Sequence, residues 1–201
     1  MSRRRSRGDQ LTGGAGDVNP QILHIPQVVT SPANLGLVQS KIPLPTQRLT
    51  QRAGKSLVME VLRIWYDFGW PFTGNAGAFV VPSGTTAFQA AFVATRQVGA
   101  LSANTGNNSD GAVISFVQNE FTPYYPAGGP NFIIPNPTLI DELTDEAGHG
   151  VLVATDAIYI GLWGGGINAG QVSAATVNVA ILYRWKEVTL EEYIGIVQSQ
   201  S

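Results

Sequence analysis

The chain has 201 residues, of which 44% are hydrophobic and only 13% charged, and its formal net charge is −2. It contains no cysteine, which excludes disulfide scaffolds, cysteine nucleophiles and cysteine-ligated zinc. Globular chains carry about 25% charged residues, so we expect part of this surface to be covered by other subunits. No apolar run approaches the roughly 18 residues of a membrane span, and no apolar core follows the basic N-terminus, so a secretory signal is not predicted.

Charge is distributed unevenly along the chain. Residues 1–52 contain seven Lys or Arg against two Asp or Glu, whereas residues 53–201 contain five against twelve. Four arginines stand within the first seven residues: Arg3, Arg4, Arg5 and Arg7. Residues 1–20 have almost no apolar side chains, so we predict a disordered arm that binds the phosphates of a nucleic acid. A disordered terminus that is basic by chance is the alternative, and the arginines alone do not decide between the two.

The body of the chain has the pattern of a β protein. Residues 21–34 contain Pro26 and Pro32 and predict an extended, irregular connector. From about residue 35, short apolar runs separated by turn residues predict strands. In 177–186 every second residue is large and apolar, which is the period of a strand. Residues 57–68 are apolar on both faces, as in a central strand covered on both sides. Further candidate strands are 35–42, 87–95, 113–118, 132–134, 150–154 and 157–162.

Helices are expected to be few and short. One helical turn is predicted at 138–143, and another begins at Thr189, because Thr189 and Glu192 have the spacing of a capping box. About eight unevenly spaced strands favour an all-β fold, a single eight-stranded jelly roll made of two antiparallel sheets over residues 35–201. A regular up-and-down barrel would show more even spacing and tighter hairpins.

Catalytic motifs are missing from the sequence, and we predict that the chain is not an enzyme and has no cofactor. Its two histidines, His24 and His149, are too few for a jelly-roll metal enzyme of the cupin type. There is no nucleophile elbow, no phosphate-binding lysine loop and no zinc-protease helix. Residues 164–166, a run of three glycines, predict a flexible turn. Glu60 and Asp67 are expected to pair with Arg63 or another arginine rather than to act in acid–base chemistry.

The densest group of carboxylates comprises Asp141, Glu142 and Asp145, with Glu146 beside them. At a subunit boundary the first three are weak candidates for binding calcium jointly with a neighbouring copy, because this ion needs several oxygen ligands. Their spacing matches no dedicated calcium loop, and a solvated acidic loop is the simpler interpretation. The aromatic residues are expected mostly in the core or in subunit interfaces, with stacking on nucleotide bases as the alternative for single rings such as Trp65, Trp70, Trp163 and Trp185.

Three stretches together resemble a known class of protein: the opening MSRRRSRG, the strand KSLVMEVLRIWYDF, and the terminal VNVAILYRWKEVTLEEYIGIVQSQS. They resemble the single jelly-roll capsid proteins of small icosahedral eukaryotic viruses whose circular single-stranded DNA genome encodes a replication initiator. The resemblance covers the whole chain, and no single motif in it is diagnostic. It implies a structural protein that assembles with itself, in about 60 copies, into a closed shell around a single-stranded genome.

The resemblance also implies a location in the virion, with the host nucleus as a place of assembly, and favours DNA over RNA as the genome. Many relatives have longer arginine-rich arms. About 60 copies of this arm supply about 240 positive charges, which neutralise only a minor part of a genome of a thousand or more phosphates. Arg48, Arg52 and Lys55 are candidates for additional charge on the inner surface. The rival prediction is a trimeric jelly-roll module that binds a carbohydrate or a receptor; it accounts for the strands and aromatic residues but not for the arginines.

Overall fold

The alternating and two-sided apolar runs form strands in the computed structural model, which describes residues 20–29, 36–44, 55–69, 87–98, 111–121, 137–165 and 175–200. The elements in these ranges are nine strands and one helix: β1 (Gln21–Val29), β2 (Val38–Pro43), β3 (Lys55–Gly69), β4 (Ala87–Ala94), β5 (Val113–Phe121), β6 (Thr138–Glu142), β7 (Val151–Val153), β8 (Ala157–Gly165), β9 (Thr176–Thr189) and α1 (Leu190–Gln200). Among the described residues, no helix is both long and apolar enough to cross a membrane.

The strands form two antiparallel sheets. Sheet A has the order β1-β9-β3-β6, with β7 also paired to β3, and sheet B has the order β2-β8-β4-β5. Strand β6 pairs with residues 63–67 of β3, and β7 pairs with residues 59–61. Strands β6 and β7 therefore lie end to end and occupy one strand position. The nine described strands fill eight positions in two four-stranded layers, and the predicted all-β jelly-roll sandwich is confirmed.

The main hydrophobic core lies between the two sheets. The large residues at alternate positions of β9 all point inward, as the period of two predicts, and they pack against β3 of the same sheet and β8 of the other. The register of β3 against β9 shifts between Val61 and Arg63. Because of this bulge, Val61 and Ile64 both face the core although they are three residues apart.

A second, smaller hydrophobic cluster lies on the outer face of sheet B. It is centred on Phe92 and Trp163, whose ring centroids are 5.9 Å apart, with Phe116 5.8 Å from Trp163. Phe92 lies directly across from Gly161 on β8. A Cβ atom at Gly161 would lie 2.1 Å from two carbons of the Phe92 ring, so the glycine leaves the space in which the ring packs.

Three local predictions were wrong. One is the flexible turn at 164–166, whose first two glycines are the last residues of β8 and pair with β4. The first part of the predicted connector at 21–34 is strand β1, paired with β9 at the edge of sheet A, with Ile25 and Val28 in the core. Pro26 is tolerated because it lies on an edge strand where the register shifts between Ile25 and Val28. The predicted helical turn at 138–143 is strand β6, because pairing with β3 outweighs local helix preference. The candidate strand at 132–134 lies outside the described residues.

Candidate functional site

The predicted nucleic-acid-binding residues Arg3, Arg4, Arg5 and Arg7 lie outside the described residues, so phosphate binding by the arm stays a prediction. Arg48, Arg52 and Trp70 lie outside them as well. The structure does show where the fold begins after the arm. Gln21 lies across from Tyr183 on β9, and the Tyr183 hydroxyl donates a hydrogen bond of 3.0 Å to the Gln21 side chain. The first described strand, β1, therefore lies at the edge of sheet A.

The calcium candidates Asp141 and Glu142 do not converge. They are consecutive residues of β6, so their side chains point to opposite faces of sheet A. Asp141 accepts a hydrogen bond of 2.6 Å from the Ser115 hydroxyl between the sheets. Glu142 lies on the outer face, with one carboxylate oxygen 2.6 Å from Nε of Arg63, an ion pair whose N–H is not aligned for a hydrogen bond.

The third calcium candidate, Asp145, closes a turn. Its carboxylate accepts hydrogen bonds from the backbone N–H groups of Ala147 and His149, at 2.9 and 2.8 Å, and lies 3.2 Å from Nδ1 of His149. The backbone bond from His149 and the contact with its ring lower the pKa of Asp145. Within the described ranges, no three His, Asp or Glu side chains are grouped as ligands for a metal. Calcium binding shared with a second subunit stays a prediction.

A buried carboxylate anchors the outer face of sheet A. Glu60 is 0% exposed and lies directly across from Arg184 on β9, whose Nε is 2.5 Å from its carboxylate. Nζ of Lys186 is 3.4 Å away, and the backbone N–H of Gly150 donates at 3.1 Å. Burial alone raises the pKa of Glu60, but the Arg184 bond, the Gly150 bond and the two positive charges outweigh it and leave the pKa below its ordinary value. The predicted structural pairing of Glu60 is confirmed, with Arg184 as its partner.

The rest of this face carries apolar side chains interspersed with the polar side chains of His24, Arg63, Asp67 and Asn178. Cross-strand register places Trp65 of β3 between Ala180 of β9 and Ile140 of β6, while Ile22 of β1 lies beside Leu182 of β9. The Arg63 guanidinium lies 5.6 Å from the centroid of the Trp65 ring. We call this surface the sheet A patch; its members are Ile22, Val29, Trp65, Ile140, Ala180 and Leu182.

Helix α1 continues directly from β9 through the predicted capping box, which is confirmed. The Thr189 hydroxyl accepts a hydrogen bond of 3.2 Å from the Glu192 backbone N–H, and the Glu192 carboxylate accepts one of 2.8 Å from the Thr189 backbone N–H. The bonds from the backbone and hydroxyl of Thr189 lower the pKa of Glu192. The start of the helix is thereby fixed at the end of the strand.

The last turn of α1 is anchored to both sheets. The Gln200 side chain donates to the carbonyl oxygen of Leu152 and accepts a hydrogen bond of 3.2 Å from the Ala154 backbone N–H. Its backbone carbonyl accepts a hydrogen bond of 3.2 Å from the Thr95 hydroxyl, just beyond β4. With this side of the helix packed, the apolar side chains at spacings of four and three residues remain exposed. We call Leu190, Ile194 and Val197 the helix stripe.

The sequence interpretation missed these two surfaces. The helix stripe could have been found in the segment LEEYIGIVQ, whose apolar residues outnumber those that one packed side of a helix can bury. The sheet A patch could not, because it depends on the register of four strands that are distant in sequence.

Comparison with known proteins relates the chain to viral proteins by fold. No protein-family model matches it, and no curated protein sequence resembles it significantly. The solved structure of VP1 from trichodysplasia spinulosa-associated polyomavirus superposes with a TM-score of 0.51 and 10% identity, covering 88% of this chain and 97% of that one. The same VP1 in complex with sialylated precision glycooligomers gives 0.52 and 11%, covering 89% and 97%.

VP1 of Merkel cell polyomavirus, solved as an unassembled pentamer, gives a TM-score of 0.51 at 8% identity, covering 87% of this chain and 97% of that one. These VP1 proteins are jelly-roll viral capsid proteins. At such identities the likeness shows a common fold over nearly the full length of both chains.

Proposed function

We propose that this chain is the coat protein of a small icosahedral virus and assembles into a closed shell around the genome. The observation that carries the proposal is the jelly roll itself: eight strand positions in two layers, superposable on polyomavirus VP1 over 87–89% of the chain. The low content of charged residues supports it, since the surface of a shell subunit is largely covered by its neighbours. The fold neighbours are non-enzymatic, which agrees with a structural role.

The sequence resemblance narrows this proposal to a virus with a small circular single-stranded DNA genome and a shell of about 60 copies. The VP1 likeness does not bear on the type of nucleic acid or on the copy number. The proposed location is the virion, with assembly in the host nucleus.

The arm is the proposed contact with the genome. Arg3, Arg4, Arg5 and Arg7 would bind phosphates without reading sequence, because a flexible chain has no fixed geometry toward base edges. The remaining genome charge would be neutralised by other cations, since about 240 arginines cannot balance a thousand or more phosphates.

Receptor binding through a glycan is the second candidate function. VP1 of trichodysplasia spinulosa-associated polyomavirus has been solved in complex with sialylated glycooligomers, which favours a jelly-roll module that binds carbohydrate. A trimeric module of this kind would not form particles, so the same experiment separates the two functions.

Negative-stain microscopy and sedimentation of the purified protein test the shell. We expect particles of uniform size, and a protein that stays monomeric at high concentration over a range of pH would contradict the proposal. The arm is tested by deleting residues 1–8, which should leave particles but lower the nucleic acid that co-purifies with them. Replacing the four arginines by lysine, as a matched control, should retain it because the charge is kept. Unchanged nucleic acid after the deletion would show that the arm does not bind the genome.

A further inference from the structure

Two buried polar atoms on neighbouring strands of sheet B have no hydrogen-bond partner in the protein. Among the described residues, three buried side-chain nitrogen or oxygen atoms make no hydrogen bond: Nε of Arg63, Oε1 of Gln89 and Nδ2 of Asn119. The first of them faces the carboxylate of Glu142 in an ion pair. The other two have lost their hydration without compensation, which is costly and therefore rare in folded proteins.

The two amides face the same interior space. Gln89 of β4 lies directly across from Asn119 of β5, so both side chains point to the same face of sheet B. This face is the inner one, because Ala91 and Val93, at the next alternate positions of β4, belong to the main core. Directly opposed residues have Cβ atoms about 5 Å apart. The unpartnered oxygen and the unpartnered nitrogen therefore lie close together between the sheets.

The orientation of the Gln89 amide is fixed by the other sheet. Its Nε2 donates a hydrogen bond of 2.8 Å to the carbonyl oxygen of Gly69, the last residue of β3. A reversed amide would set two acceptor oxygens against each other, so Oε1 is the atom that needs a donor. Because Gln89 is 0% exposed, bulk solvent does not supply this donor.

We propose that one water molecule is bound between Gln89 and Asn119 as an integral part of the sandwich. The water donates to Oε1 of Gln89 and accepts from Nδ2 of Asn119, so a single molecule satisfies both atoms. Small neighbours leave room for it: Gln89 lies across from Gly164 of β8, which has no side chain, and Ala91 is the next inward-facing residue of β4.

The chemistry of the site fits water better than an ion. A metal cation needs several oxygen ligands, and the two unpartnered atoms include one oxygen. An anion would meet the amide oxygen of Gln89 as well as the amide nitrogen of Asn119. Water alone both donates and accepts, and it can also donate twice, so a reversed Asn119 amide would be satisfied equally well.

The bound water extends a polar connection from sheet A to the edge strand β5. The connection begins at the carbonyl oxygen of Gly69, passes through the Gln89 amide and the water, and ends at Asn119. Water-mediated bonds of this kind are nearly as favourable in enthalpy as direct ones. The site therefore links three strands at the end of the sandwich where β3 ends, and this inference does not depend on the proposed function.

Crystallography of the subunit or cryo-microscopy of the particle, at a resolution that shows ordered water, tests the site directly. We expect one water peak at about 2.7–3.2 Å from both Oε1 of Gln89 and Nδ2 of Asn119. A direct hydrogen bond between the two amides would overturn the inference. A protein group at the position of the water, or no peak there, would overturn it as well.

Magnetisation transfer from water to side-chain amides in ¹⁵N-labelled, unassembled protein gives a second measurement, in solution. The Nδ2 protons of Asn119 should show a cross-peak with the sign of a long-lived bound water. Gln89→Leu removes the acceptor of the water and should abolish this cross-peak. A cross-peak that is missing from the unmodified protein, or that persists in Gln89→Leu, would contradict the proposed site.

Two controls make this measurement specific. The side-chain amide of Gln39 bonds to the backbone of Val98 through both its nitrogen and its oxygen, so its Nε2 protons should show no cross-peak of this kind. Thr176→Val removes a hydroxyl that lies beside Gly69 and should leave the Asn119 cross-peak unchanged. Loss of the cross-peak in Thr176→Val would assign the signal to the hydroxyl and would count against a bound water.

Discussion

The Tyr66 hydroxyl on β3 donates a hydrogen bond of 2.6 Å to the Ser115 hydroxyl on β5, which joins sheet A to sheet B. Ser115 donates in turn to Asp141 on β6, so the serine links both sheets through two bonds. Burial, together with the nearby Asp141 charge, raises the pKa of Tyr66 against the lowering effect of the Ser115 bond. The phenol therefore stays protonated and remains a donor.

Ser115→Ala should destabilise the protein more than Tyr66→Phe. Removing the serine hydroxyl leaves the buried Tyr66 hydroxyl without its partner, at a cost of about 2 to 3 kcal/mol, whereas Tyr66→Phe removes one donor and costs about 1 kcal/mol. Urea denaturation of unassembled protein measures both, and the double variant should lose less than the sum of the two. Equal losses from the two single variants would show that the serine does not hold the link together.

The Glu60 cluster predicts a defined response to acid. Because the pKa of Glu60 is lowered in the folded state, its contribution to stability is present above its unfolded-state pKa, about 4.5, and is lost as the pH falls through the folded value. Glu60→Gln should therefore flatten the decline in unfolding free energy between about pH 5 and pH 3. A decline as steep as that of the unmodified protein would contradict this role.

The two partners in that cluster should not be equivalent. Arg184→Gln leaves a fully buried carboxylate without its closest cation and should cost about 3 kcal/mol at neutral pH. Glu60→Gln leaves cations that are partly exposed and can be hydrated, so its cost should be smaller, about 1 to 2 kcal/mol. Denaturation of both variants at pH 7 gives the order directly, and a larger loss in Glu60→Gln would reverse the interpretation.

Gly161→Ala should destabilise the second hydrophobic cluster by about 3 kcal/mol, because the new Cβ would overlap the fully buried ring of Phe92. Gly195 of α1 is the matched control. Nothing lies within 4 Å of a Cβ placed there, so Gly195→Ala should raise helix stability by about 0.5 to 1 kcal/mol. Thermal unfolding of both variants tests the pair, and a neutral Gly161→Ala would mean that the cluster rearranges.

Chelation should leave assembled particles intact. The carboxylates of Asp141, Glu142 and Asp145 are engaged by Ser115, by Arg63, and by the backbone and ring of His149, respectively. The stability of the particles should therefore not depend on calcium. Sedimentation of particles with and without EDTA is the measurement, and dissociation restored by added calcium would support the shared calcium site after all.

Strands with a clear hydrophobic pattern could be predicted from the sequence. The alternation from Val177 to Trp185 defines β9, and the two-sided apolar run at 57–68 defines β3. Strand β1 was missed because Pro26 weakens a strand pattern unless the strand is known to lie at an edge. Strand β6 was missed because its local helix preference is overruled only by pairing with β3.

The side-chain contacts of the candidate site were harder to predict than the fold. The capping box at Thr189 and Glu192 is a local pattern and could be recognised. The pairing of Glu60 with Arg184 joins residues far apart in sequence and depends on the exact register of β3 and β9. A shift of one residue between the two strands would place the two side chains on opposite faces of the sheet. Sequence alone does not specify that register, so it could indicate a buried ion pair but not its members.

Strand β9 ends at Thr189 and helix α1 begins at Leu190, with no residue between them. The direction of the helix is therefore set by an inner strand of sheet A and not by a flexible linker. The hydrogen bonds of Gln200 fix the other end of the helix. Any molecule that contacts α1 would therefore meet an element whose position is already fixed, so little conformational entropy would be lost on association.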